Sequence, residues 1–151
     1  MALKNLVLII DDNQDFQELF GMVAKLAGFE VEAVYDGKAA IERLEGEPIP
    51  TFVLLDALLP RVAGAQVLQA ARSNQKWARV PIYIVTADLR VIQSAASLAP
   101  NDALADGVIE KGAQAIQKLR ELFEKYREKS SGGLFLAEQS KGKSSQADPT
   151  Q

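Results

Sequence analysis

The chain has 151 residues, 48% of them apolar and 25% charged, which is the composition of one globular domain large enough to bury a full core. It contains neither cysteine nor histidine. That excludes disulfides, thiol nucleophiles, imidazole bases and ordinary zinc enzymes, and leaves hard cations on oxygen ligands as the available metal chemistry. A net charge of −3 gives no drive toward nucleic acid or an anionic membrane, and no apolar run reaches the roughly 18 residues of a membrane span. Met1 to Asn5 lacks the charged start and cleavage site of a secretory signal. A cytoplasmic location is therefore expected.

Strand-like and helix-like segments alternate over residues 1–129. Leu6 to Ile10 is a continuous apolar run, as in a strand buried on both faces, and leads into Asp11 and Asp12. Over Gln14 to Ala27 the period becomes helical, with Phe16, Leu19, Phe20, Val23 and Ala27 on the apolar stripe and Gly28 as the stop. Glu30 to Tyr35 alternates charged and apolar residues and predicts a strand near the sheet edge. Asp36-Gly37 turns into a short helix carrying Ala40, Ile41 and Leu44.

Thr51 to Leu55 predicts a central strand ending at Asp56. A loop with Pro60 and Gly64 follows, and then a helix with Val67, Leu68 and Ala71 on one face. Val80 to Val85 predicts a fourth strand, with Pro81 near its start, where a missing donor does least harm. Val91, Ile92, Ala95 and Ala96 mark a fourth helix, Asp106 to Glu110 a fifth strand, and Ile116, Leu119, Phe123 and Tyr126 a fifth helix. Five strands alternating with five helices predict an α/β fold with a parallel sheet and helices on both faces. Residues 130–151 are rich in serine and glycine and too poor in apolar side chains to offset their ordering entropy, so a disordered tail is expected; Leu134-Phe135-Leu136 is the exception.

Ligands of such a sheet bind beyond the carboxyl ends of its strands. Strand one ends in Asp11-Asp12, strand three in Asp56, strand four in Thr86 and strand five in Lys111. Three clustered carboxylates repel one another unless a cation sits among them. Lys111 offsets one charge, and Mg²⁺, which takes one or two protein carboxylates and keeps its other positions for water and phosphate oxygens, offsets more. This suits phosphoryl transfer to an aspartate. No glycine-rich phosphate loop follows strand one, which argues against a nucleotide-binding relative of the same sheet.

Ile9-Ile10-Asp11-Asp12, Leu54-Leu55-Asp56-Ala57-Leu58-Leu59-Pro60 with Gly64, Val85-Thr86-Ala87 and Glu110-Lys111 together resemble the receiver domain of bacterial two-component response regulators, over roughly residues 4–129. The resemblance implies a flavodoxin-like five-stranded sheet in the order 2-1-3-4-5. It makes Asp56 the phosphoacceptor, Asp12 a direct Mg²⁺ ligand, and Asp11 a ligand acting mainly through water. The Leu58 backbone carbonyl completes the metal site, Thr86 binds the phosphoryl group, and Lys111 pairs with it. The implied phosphodonor is a histidine on a sensor kinase or His-phosphotransfer protein, a residue this chain cannot supply. The implied downstream protein target docks on the face made by the fourth helix, fifth strand and fifth helix. Such a chain is a phospho-accepting switch and not an enzyme acting on a separate substrate; whether it forms a homodimer is left open.

Three features depart from the family pattern. Val108 stands where an aromatic residue usually precedes the lysine, Gly112 stands where a cis proline usually follows it, and the stretch from Thr86 to Lys111 is longer than the family norm. Hence the competing reading is a pseudo-receiver that acts as a phosphorylation-independent interaction module. An aspartyl-nucleophile phosphatase is disfavoured, because the position of its general acid holds Leu58. Singly, each site residue has a plainer role: Asp11-Asp12 as a helix cap, Asp56 as a strand terminus, Lys111 as a surface charge.

Overall fold

The computed structural model describes residues 5–88, 90 and 105–127. Its elements are β1 (Leu6–Ile10), α1 (Gln14–Leu26), β2 (Glu30–Val34), α2 (Gly37–Arg43), β3 (Phe52–Asp56), α3 (Gly64–Ser73), β4 (Ile82–Thr86), β5 (Gly107–Glu110) and a helix over residues 115–127. The fourth predicted helix at Val91–Ala96 and the predicted tail at 130–151 lie outside the described residues.

All pairings are parallel, and the sheet order is β2-β1-β3-β4-β5. The three interior strands, β1, β3 and β4, are buried on both faces because both faces are covered. β2 is an edge strand with charged residues, as its alternation predicts. Strand alternation divides the core into two layers. Val7, Ile9, Phe52, Leu54, Tyr83, Val85 and Ile109 face α1 and helix 115–127, which contribute Phe20, Val23, Ala24, Leu119, Phe123 and Tyr126. Leu8, Ile10, Val53, Leu55, Ile82 and Ile84 face α2 and α3, with Ala40, Val67, Leu68, Ala71 and Trp77.

The α1 stripe is turned slightly from the one expected. Gln17, Phe20, Gly21, Val23 and Ala24 are buried, whereas Leu19 is 41% exposed. The reason is Gln17, whose Nε2 donates to the backbone oxygens of Ile9 (2.9 Å), Asp11 (3.0 Å) and Val34 (3.0 Å). Those carbonyls sit at the ends of β1 and β2, so one buried amide ties α1 to the strand ends that carry the acidic pair. Gly28 does stop the helix, with φ at 91°, a region open to glycine without penalty. β4 starts later than Val80, because the Val80 N–H still donates to Trp77 O in the preceding turn.

Candidate functional site at the carboxyl ends of the strands

The parallel register brings the predicted residues to one rim. Asp56 pairs across with Val85 and Thr86 with Glu110, and the Lys111 N–H continues the ladder to Thr86 O at 2.8 Å. Counting alternate positions, Asp11 follows Ile9, Asp56 follows Leu54 and Lys111 follows Ile109, all residues of the layer that faces α1. The carboxylates of Asp11, Asp12 and Asp56 offer oxygens that all lie within 4.8 Å of one another. Asp11 and Asp56 are buried, and Asp12 is exposed.

Lys111 is the cation the cluster needs. Its Nζ lies 2.8 Å from Asp11 Oδ2 and 3.3 Å from Asp56 Oδ2, with all three side chains nearly inaccessible. It also sits 4.2 Å from the centre of the Phe16 ring, whose π face attracts a cation. Asp56 does end β3, but the other two plain readings fail. Lys111 is not a surface charge. The α1 cap is Asn13, whose side chain accepts from Phe16 N at 3.0 Å, while Asp11 Oδ1 accepts from Asn13 N at 2.9 Å and so shapes the turn before it.

Asp56 Oδ1 accepts a hydrogen bond from the Leu58 N–H at 3.1 Å. Burial pushes the Asp56 carboxyl above its ordinary range and the neighbouring Asp11 adds to the rise; the Leu58 N–H and Lys111 act in the opposite direction. A cation placed among the three acids would favour the ionised form, in which the carboxylate is a nucleophile. Thr86 is buried, and its hydroxyl oxygen accepts from Asp88 N at 3.1 Å. The strand end and the loop after it are thereby held together beside the carboxylates.

Three contributors were not legible as site residues. Phe16 and Gln17 read as helix positions, yet one supports the ammonium and the other fixes the strand ends. Gly64 read as a turn residue. A Cβ there would come within 2.5 Å of Asp56 O and 2.9 Å of Ala57 Cα, so only glycine lets α3 start directly against the Asp56 backbone. Its N–H donates to Ala57 O at 3.2 Å, closing the loop that follows Asp56. Two of the three departures have plain surroundings, and the third, the long stretch from Thr86 to Lys111, lies mostly outside the described residues. Val108 is half-buried against the aliphatic layer, and a Cβ on Gly112 would meet nothing closer than Glu110 at 3.8 Å, so no steric demand selects glycine there.

A five-stranded parallel sheet in this order, with a cation-bridged acidic rim, defines a receiver fold. The chain matches the family described as response regulator receiver domain over residues 7–124 and belongs to that family. Among curated relatives, it is 32% identical over 81 residues to the DNA-binding dual master transcriptional regulator RpaA of Synechocystis sp. (54% of this chain, 33% of RpaA). The chain spans between a third and just over half of the length of the first relatives it matches, from 33% to 56%. Among solved structures, a CheY-like receiver domain protein from Methanospirillum hungatei aligns with a TM-score of 0.70 at 24% identity, covering 87% of this chain and 100% of the other. The receiver domain of the Pseudomonas aeruginosa sensor histidine kinase PA1611, with a magnesium ion in its active-site cleft, aligns with a TM-score of 0.69 at 22% identity, covering 82% and 98%. The protein is thus a response regulator receiver domain of two-component signalling. No helix among the described residues is long and apolar enough to cross a membrane.

Proposed function

We propose that this protein accepts a phosphoryl group on Asp56 from a phosphohistidine of a sensor kinase or His-phosphotransfer protein, and that the modification switches its protein–protein interactions. The observation that carries this reading is the buried Lys111 ammonium held between Asp11 and Asp56, with Asp12 beside them. Three acids and one lysine leave an excess of negative charge, and the donor set is all oxygen, which fits Mg²⁺. Asp11, Asp12 and Asp56 would hold the ion, with the Leu58 carbonyl beside them; when bound, Mg²⁺ neutralises charge on the phosphoryl oxygens.

The chain's own residues do the rest. An Asp56 carboxylate oxygen forms the new O–P bond as the donor's N–P bond breaks, and the imidazole leaves with the electron pair of that bond. The Leu58 N–H orients the carboxylate. Lys111 compensates charge as it accumulates, and the Thr86 hydroxyl, whose oxygen accepts from Asp88 N, still has its own O–H to donate to a phosphoryl oxygen. Donors of this kind, fixed before the reaction, are the main contribution a protein makes to phosphoryl transfer. The receiver unit ends at residue 129 in this reading, and its downstream partner docks on the β5 side of the sheet.

Incubation of the full chain with acetyl phosphate and Mg²⁺, followed by intact mass measurement, tests the reading. Gain of one phosphoryl group, lost in Asp56→Asn and on chelation of Mg²⁺, is expected. An unchanged mass for the folded wild type would return the protein to a phosphorylation-independent interaction module.

A further inference from the structure

A groove of about 580 Å³ runs between α1 and the edge strand β2, on the flank of the sheet away from β5. Met22, Leu26, Val31 and Tyr35 give it apolar walls, and Gly21 leaves its floor open, since a Cβ there would meet only Val31 Cγ1 at 3.8 Å. Met22 is 60% exposed and Leu26 82%, and together with the groove walls they form one apolar patch. Of the large apolar side chains exposed among the described residues, Leu19, Met22, Leu26 and Tyr35 lie on this flank, and only Leu58 lies elsewhere.

Helix 115–127 ends beside the lower end of this groove. Phe123 packs on Phe29 with ring centroids 5.1 Å apart, and Arg127 Cδ lies 3.9 Å from where a Cβ on Gly28 would be, at the turn joining α1 to β2. Six residues, 128–133, separate Arg127 from the apolar triplet Leu134-Phe135-Leu136. Seven Cα steps reach at most about 24 Å. The stretch of α1 that lines the groove, Gln17 to Leu26, is about 14 Å long. The triplet can therefore be laid anywhere along it without displacing any described element.

We infer that Leu134-Phe135-Leu136 docks in its own chain's α1–β2 groove and covers Met22, Leu26 and Val31. Tethering makes a weak contact sufficient. A short linker gives an effective concentration of the order of millimolar, so a segment with a millimolar intrinsic Kd is docked about half the time. The tail then acts as an intramolecular cover over one flank of α1, and any partner binding that flank must displace it.

The absence of cysteine allows a clean test in the full chain. A nitroxide on Ser140→Cys, read by amide paramagnetic broadening, is expected to broaden Met22, Lys25, Leu26 and Val31 selectively. The broadening should disappear when Leu134, Phe135 and Leu136 are all changed to Ser. It should also disappear in Met22→Glu/Leu26→Glu, whose exposed positions leave the fold intact. Equal broadening along the β5 side, or broadening indifferent to both sets of changes, overturns the inference. So does broadening of unlabelled ¹⁵N protein by added spin-labelled ¹⁴N protein, which would assign the groove to a second copy.

Discussion

The strands β3, β4 and β5 build two regions of opposite character within a few residues. In the layer under α1 and helix 115–127, Phe52 lies at the centre of an aromatic cluster. Its ring stacks on Tyr126 at 4.9 Å, tilts against Phe123 at 5.3 Å and meets Phe29 edge-on at 5.7 Å. Four residues further along β3, Asp56 lies among like charges and is held by one lysine and one backbone N–H. The first region stabilises through complementary packing that any competing arrangement would lose. The second stores unfavourable charge that Lys111 offsets in part and that a bound cation relieves further. The fold supplies the rigidity and the rim supplies the sensitivity, so stability and chemistry should respond to different substitutions.

The largest effect expected is in the aromatic layer. Phe52→Ala should cost about 3–5 kcal/mol in denaturant unfolding, the range for deleting a fully buried ring. A loss below about 1 kcal/mol would show that the cluster repacks and that the comparison overstates its rigidity.

Millimolar Mg²⁺ should act at the rim alone. At 10- to 100-fold excess over Kd, it should stabilise the chain by about 1.4–2.7 kcal/mol. Asp12→Ala should abolish that gain with little effect on the metal-free protein, because Asp12 is exposed. A Phe52 variant that remains folded should keep the gain. Thermal melts with and without the metal measure all three.

A smaller effect tests the polar seam inside the aromatic layer. The Tyr83 and Tyr126 hydroxyls lie 2.8 Å apart. Burial, and then the Tyr83 hydrogen bond, push the Tyr126 phenol well above its ordinary range. Tyr126→Phe removes one partner and leaves the other hydroxyl buried, at a cost of about 1–2 kcal/mol. Ultraviolet titration should show the wild-type Tyr126 still protonated where an exposed tyrosine has ionised.

The smallest shift has the opposite sign. Burial raises the Asp56 carboxyl in the folded state, so the folded chain binds that proton more tightly than the unfolded chain does. The favourable contribution is complete below the ordinary carboxylate range and is lost as pH rises through the raised value. In metal-free buffer at neutral pH, Asp56→Asn should therefore be slightly more stable than wild type, by no more than about 1.5 kcal/mol, with the difference shrinking as pH falls. A destabilised Asn variant would mean that the Lys111 and Leu58 contacts outweigh burial.

Periodicity and strand-end chemistry go far in this chain. Alternating apolar runs and helical stripes specify the elements, and two-sided burial of Leu6–Ile10 and Phe52–Leu55 puts those strands at the centre. The residue closing each strand names the rim: Asp11, Asp12, Asp56, Thr86 and Lys111 are readable because a parallel sheet gathers its carboxyl ends on one edge. The strand order and the role of each rim residue came from the family resemblance and not from these patterns.

Tertiary structure alone decided how the rim is held. A lysine becomes a buried bridge only when β5 is placed beside β4, and Phe16 lies under it only because α1 packs on that face. Gln17 reads as a polar helix residue until the ends of β1 and β2 present three carbonyls to its amide. Gly64 reads as a turn until α3 begins against the Asp56 backbone. Composition and spacing encode which face a side chain takes. They do not encode which distant group it meets there, because that partner is fixed by register and by helix placement across the whole sheet.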